Sequence, residues 1–174
     1  MEQNKIRLRA VEPSDASRLF DLENDREIWD VSGTQIPFSM ESIRLFIEGQ
    51  QSDIFISRQA RFMIESKNMV VGCIDLFDFD PVNHKAGVGI LVGKAHRMAG
   101  YGLQALLELE YIANRLQLHQ LYAHVGSSNE ASLNLFKKAG YFKSGELIDW
   151  IKDSESWQNA IIFQKILKKH LKSS

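Results

Sequence analysis

Arg97-Met98-Ala99-Gly100-Tyr101-Gly102 follows the apolar, β-favouring run Val88-Gly89-Ile90-Leu91-Val92 and leads into a Leu-, Ala- and Glu-rich stretch from Leu103. A strand that passes through a glycine-rich turn into a helix leaves the first helical amides without intrahelical acceptors. The helix dipole adds partial positive charge at the same place, so the turn suits a phosphate or pyrophosphate. Lys94, His96 and Arg97 add positive or titratable charge in or just before it. The segment reads as an anion cradle. Alone it is a weak signal, because many glycine turns before helices only redirect the chain.

The surrounding periodicities supply the context. Lys5 to Val11 alternates Ile6, Leu8 and Ala10 with Lys5, Arg7 and Arg9, the period of a half-buried strand. Pro13 and Ser14 open a helix running to about Glu23. Asn24 to Met40, with Trp29, Gly33 and Pro37, is mixed; a helix from Ser39 or Met40 to about Gln51 follows, with Ile43, Phe46 and Ile47 on its apolar stripe. Arg61–Glu65 and Val70–Phe79 read as a strand pair, and Asp80-Pro81-Val82-Asn83 as a turn into a strand from His84 to Val92. The helix after the cradle runs from Leu103 to Leu116. Leu121–Val125 is a short strand, and Ser127–Ala139 a helix closed by Gly140 in a left-handed C-cap. Tyr141–Ile151 and Trp157–Leu167 form a terminal hairpin. With no repeat or linker, residues 1–174 read as one α+β domain around a mostly antiparallel sheet.

Composition narrows the function classes. The 174 residues are 44% hydrophobic and 25% charged, enough for one packed core. A formal net charge of -1 argues against a nucleic-acid binder that relies on broad phosphate neutralisation. No apolar stretch approaches the roughly 20 residues that span a bilayer, and the N-terminal residues lack the apolar core of a secretory signal. The lone Cys73 excludes an intrachain disulfide and any CxxC motif, which points to a reducing cytoplasm and no metal. No Gly-Lys-Ser/Thr follows the turn, so a nucleotide-triphosphate loop is disfavoured.

A second motif gives the cradle its meaning. Ser127-Ser128-Asn129-Glu130-Ala131-Ser132-Leu133-Asn134-Leu135-Phe136-Lys137-Lys138-Ala139-Gly140-Tyr141 holds the pattern Asn-x-x-Ser-x-x-x-Phe-x-x-x-Gly-Tyr. Strand, Arg-x-x-Gly-x-Gly, helix, strand and then this pattern resemble the GNAT superfamily of acetyl-CoA-dependent N-acetyltransferases. The core motifs span about Ala86 to Phe142. Ile6 to Asp15 and Gly145-Glu146-Leu147 are similar to the branch holding ribosomal-protein alanine and spermidine acetyltransferases. The resemblance implies a mixed sheet of six to seven strands with a splayed central pair and about four helices. It also implies that the backbone of Ile90, Leu91 and Val92 pairs with the pantetheine arm of acetyl-CoA, with Gly87 and Gly89 permitting a bulge and close approach. The pyrophosphate is expected on Arg97, Met98, Ala99, Gly100, Tyr101 and Gly102, where a Cβ at either glycine would meet phosphate or strain the turn. Asn129 and Ser132 match positions near the pantetheine and the sulfur, and Phe136 the place of a common tyrosine acid. Lys137 or Lys138 either reaches a CoA phosphate or simply favours the helix C-terminus. Ser127-x-x-Glu130 reads as a capping box, which leaves Asn129 and Ser132 for ligand.

The chemistry demands a proton acceptor. An ammonium with a pKa near 10 must lose a proton before it attacks a thioester, at a cost of about 4 kcal/mol at pH 7. Phenylalanine at 136 cannot donate a proton, and Ala86-Gly87-Val88-Gly89 lacks the glutamate that some relatives carry there. Substitutes are Asp75, Asp78, Asp80, His84 and His124, with Ser132 or a water as assistants. Asp75 and Asp78 have opposite strand parity and share a site only if a bulge intervenes. Ser132, Asn129 and Asp78 are the catalytic candidates. Trp29, Phe38, Trp150 and Trp157 border the acceptor cleft by resemblance, or pack a core; Asp149, Asp153 and Glu155 give the cleft an acidic rim or ordinary surface. The expected partners are acetyl-CoA and an amine acceptor, either a protein N-terminus or a polyamine-like molecule, with a homodimer left open. The alternative is a catalytically silent acyl-CoA-binding module.

Overall fold

The computed structural model describes residues 5–27, 29, 34–50, 52–153 and 156–167, so the expectations attached to Gly33 and Glu155 lie outside the described residues. The chain runs β1 (Ile6–Ala10), a 3-10 turn (Pro13–Asp15), α1 (Ala16–Glu23), α2 (Met40–Gly49), α3 (Ile54–Ser57), β2 (Ala60–Ser66), β3 (Met69–Asp80) and β4 (Lys85–Val92). A 3-10 turn (Lys94–His96), α4 (Tyr101–Arg115), β5 (Gln120–Gly126), α5 (Glu130–Lys138), β6 (Phe142–Lys152) and β7 (Trp157–Ile166) follow. The seven strands form one sheet in the order β1-β2-β3-β4-β5-β7-β6. Five neighbouring pairs are antiparallel; β4 and β5 are parallel.

Strand alternation divides the sheet between two apolar layers. Ile64, Ile74, Leu76, Val88, Leu121 and Phe163 pack with Ala105, Leu106, Leu109 and Ala113 of α4 on one face. Met63 and Cys73 face the other way and meet Leu19 of α1 and Ile43 and Ile47 of α2. Tyr122 and His124 have the opposite parity to the buried Leu121, Ala123 and Val125; Tyr122 is half-buried and His124 exposed.

The parallel pair is short. Lys85, Ala86 and Gly87 pair with Gln120, Leu121 and Tyr122, and no further rung follows. Val88 to Val92 therefore pair with β3 on one edge only, and the two strands diverge toward their C-terminal ends. This is the splayed central pair.

Several local expectations are revised. The bulge lies in β3, not at Gly87 or Gly89: Phe77 opposes Gly87 and Asp80 opposes Lys85, so β3 carries one extra residue, and Asp78 has φ +47°. A Cβ at Gly87 would stand 2.3 Å from the Phe77 ring, so that glycine makes room for a side chain of its own sheet. The helix α3 was not legible as a period because Ile54-Phe55-Ile56 is a continuous apolar run; Asp53 starts it, accepting from the Phe55 amide at 2.8 Å. The Ser127–Glu130 capping box does not form. Asn129 is the N-cap, its Oδ1 accepting from the Ser132 amide at 3.1 Å.

Candidate active site

Gly100 caps α4 with φ +82°, and Met98 also lies in the left-handed region at φ +62°. The first amide of this turn with a backbone acceptor in α4 is that of Gln104, which reaches Gly100 O at 3.2 Å. Among the described residues the amides from Met98 to Leu103 have no backbone acceptor, so six donors converge where the helix dipole is positive. Arg97 closes the near side of the turn: its Nε donates to Val92 O at 3.2 Å, tying the turn to the end of β4. The two glycines differ in role. Nothing lies within 4 Å of a Cβ built at Gly100, whereas one at Gly102 would stand 3.1 Å from Leu135 Cδ2. Gly102 brings α5 close to α4.

Asn129 and Ser132 begin α5 directly above the C-terminal end of β5, across the opening from β4. The hairpin fixes that end: Ser127 N donates to Asn159 O at 2.9 Å, and the Ser128 hydroxyl to Gln158 Oε1 at 2.8 Å. Asn129 is thus a structural cap as well as a site candidate, and the notion that the capping box frees it for ligand is corrected. Phe136, one turn further along, is 3% exposed, stacked on Phe163 and edge-on to Tyr141. It is a core residue and not an open cofactor contact, because the ring faces other aromatic rings. Lys138 is exposed in the last turn of α5.

The Tyr122 face of the sheet is built around the last β4–β5 rung. Phe77 fills the space over Gly87 and meets Tyr122 edge-on at 6.1 Å. The β3 bulge turns Asp78 to the same side, where Tyr122 Oη donates to Asp78 Oδ2 at 3.3 Å. The sequence parity of Asp75 and Asp78 is thereby reconciled. Burial and the negative charge of Asp78 raise the Tyr122 pKa, so the phenol stays a donor. The His124 ring lies 5.6 Å from that of Tyr122.

Asp75 opposes Gly89 and is fully engaged: Arg61 Nε and Nη2 reach its two oxygens at 2.7 and 2.8 Å, and Arg61 Nη1 also binds Glu23. The Phe46 ring lies 4.7 Å from the Arg61 guanidinium carbon. A cavity of about 80 Å³ lies between Phe46, Gln50, Arg61, Asp75 and Phe77. Asp80 stabilises its own turn, accepting from Val82 N and Asn83 N at 2.9 Å each. His84 sits at the other end of β4, its Nδ1 3.0 Å from Gln117 O. Neither Asp80 nor His84 approaches the opening. Trp29 Nε1 donates to Glu23 O at 3.1 Å. Phe38, Trp150 and Trp157 are 40%, 57% and 57% exposed, so core packing is excluded for them.

A parallel pair that opens beside an amide-rich turn defines the fold class, and comparison with known proteins agrees. Residues 5–141 match the family model described as an Acetyltransferase (GNAT) domain, and the chain belongs to that family of N-acetyltransferases. It is 29% identical over 161 residues to the SPbeta prophage-derived uncharacterized N-acetyltransferase YokL of Bacillus subtilis (strain 168), covering 91% of this chain and 88% of that protein. It is 24% identical over 170 residues to the spermidine N(1)-acetyltransferase of Escherichia coli (strain K12), covering 92% and 87%. Its fold matches the crystal structure of the Vibrio cholerae spermidine N-acetyltransferase in complex with CoA and spermine, with a TM-score of 0.86 at 20% identity over 94% and 96% of the two chains. No described helix is long and apolar enough to cross a membrane.

Proposed function

We propose that the protein transfers the acetyl group of acetyl-CoA directly to a primary amine, with a polyamine-like cation as the favoured acceptor. The observation that carries this reading is the divergence of β4 from β5 one strand-length below the cradle. From Val92 down to Gly87 the strand spans five residue steps, about 17 Å, the length of an extended pantetheine arm. Pyrophosphate on the free amides of Met98 to Gly102 then puts the thioester at the apex, near Gly87 and Gly89. The unpaired edge of β4, with Ile90 and Leu91, is positioned to bind the arm. Asn129 and Ser132 border it from α5, and Lys138 supplies a cation toward a phosphate. A backbone amide of β4 at the apex polarises the thioester carbonyl.

Direct transfer is supported by the lack of an activated thiol at the apex. Cys73 is 1% exposed, and burial pushes its thiol up to about 12. A cationic acceptor is supported by charge: Glu23, Asp75 and Arg61 sum to -1 beside the acceptor face. The spermidine acetyltransferases among the relatives point the same way. Calorimetry with acetyl-CoA and with ATP tests the donor site. Acetyl-CoA should bind wild type and lose affinity at least tenfold in Gly100→Trp, with the fold intact; unchanged affinity in that variant, or binding of ATP alone, contradicts it.

A further inference from the structure

The acceptor face offers several groups for proton transfer, and the contacts distinguish them. Asp75 gives both oxygens to Arg61, and Glu23 shares the same guanidinium. Asp78 accepts from Tyr122, and Asp80 is held within its turn. His124 lies two residues beyond the last β4–β5 rung, on the Tyr122 side of β5, exposed and without a hydrogen-bond partner among the described residues. On β7, Ile162 opposes His124 and Gln164 opposes Tyr122, neither charged. The nearest charges on β6, Lys143 and Glu146, pair with each other at 2.6 Å. Among the described residues the ring contact of His124 on this face is with Tyr122, whose hydroxyl donates to Asp78; the paired Asp75 and Arg61 lie on β3 and β2, across β4 from it.

We propose that His124 is the proton acceptor for the amine, and that Tyr122 is its positioning residue, held by Asp78 and Phe77. The inference rests on the acetyltransferase reading. A neutral imidazole takes one proton from the acceptor ammonium. The freed nitrogen lone pair forms the C–N bond to the acetyl carbon, giving a tetrahedral adduct. The adduct collapses with cleavage of the C–S bond, the remaining excess proton on nitrogen goes to the departing sulfur, and the imidazolium releases its proton to solvent. The products are an acetamide, CoA thiol and one proton. A histidine suits this work because a neutral imidazole offers one ring nitrogen with a free lone pair to accept a proton.

The test compares wild type, His124→Gln and Tyr122→Phe in thiol release from acetyl-CoA with spermidine and with an alanyl peptide, from pH 6 to 9.5. His124 is exposed, so its replacement leaves the core untouched. His124→Gln should lower kcat about 100-fold at pH 7 with unchanged acetyl-CoA affinity by calorimetry. Its rate should rise about tenfold per pH unit with the free-amine fraction and approach wild type at alkaline pH. Tyr122→Phe should lower kcat severalfold with unchanged acetyl-CoA affinity, and should have no further effect when added to His124→Gln; an equal loss in both backgrounds overturns the positioning role. A variant at 124 with the wild-type rate and pH profile overturns the base assignment alone. Bound acetyl-CoA with no thiol release by wild type overturns both the base and the transfer reading.

Discussion

Gly100 and Gly102 stand two residues apart and are glycine for different physical reasons. At φ +82° with free space around a built Cβ, Gly100 answers to backbone conformation. Gly100→Ala should cost about 1 kcal/mol of stability, read from urea unfolding, and leave the helix packing intact. Gly102 answers to Leu135, which a Cβ would approach to 3.1 Å. Gly102→Ala should push α5 from α4 and weaken acetyl-CoA binding even though it leaves the turn amides in place, a change that calorimetry detects. Cys73 offers a separate check on direct transfer. Its thiol, pushed up to about 12 by burial, should resist a disulfide reagent at pH 8 in the native protein and react at once in denaturant. Fast native labelling would contradict the buried placement. The motif glycines, Arg97 and Asn129 were all legible in the sequence. That Phe136 is walled in by Phe163 and Tyr141 was not, because a spacing pattern shows which turn of a helix a residue occupies but not which rings meet it.

Among elements, α5 and the β3 bulge show where local patterns yield to tertiary ones. Ser127-x-x-Glu130 fits a capping box, yet β5 continues to Gly126, and the hairpin holds Ser127 and Ser128 through Asn159 and Gln158. The helix therefore starts after Asn129, whose side chain supplies the cap. Asn129→Ala should cost about 1 kcal/mol, with most of it restored by Asn129→Asp or Asn129→Ser. Equal stability of the alanine and aspartate variants would contradict the cap. The bulge was visible only as a parity conflict between Asp75 and Asp78. Strand alternation cannot reveal an inserted residue, and an aspartate tolerates a positive φ without a glycine to mark it. Deleting Asp78 should restore strict alternation and remove the Tyr122 hydrogen bond.

At the scale of the molecule, the strands and their rough limits followed from hydrophobic period, while the order β5-β7-β6 and the depth of the opening did not, since both depend on long-range pairing. Charge ties the first strand into that sheet. Arg9 binds Asp15 at 2.7 Å and Glu65 at 2.7 Å, and Arg7 binds Glu65 at 2.7 Å. Burial pushes Asp15 up, but hydrogen bonds from Arg9 and the Glu12 amide outweigh it and hold the carboxyl below its ordinary value; those from Arg9 and Arg7 hold Glu65 down. Both folded values lie below the unfolded ones. The stability they contribute is thus complete above the ordinary carboxylate range and is lost as pH falls through the folded values, below about pH 4. Urea midpoints should fall between pH 5 and pH 2.5, and Asp15→Asn should flatten that slope while lowering stability at pH 7. An unaltered slope would remove Asp15 from the network's pH dependence.

The proposed transfer runs across the opening between β4 and β5. The most direct measurement follows free thiol from acetyl-CoA in the presence of spermidine while mass spectrometry monitors both amine and protein. Acetylated amine should appear in step with thiol, with no acetyl group on the protein at any time. Thiol release with an acetylated protein as intermediate, or saturable acetyl-CoA binding with no amine product across polyamines and N-terminal peptides, would contradict direct transfer.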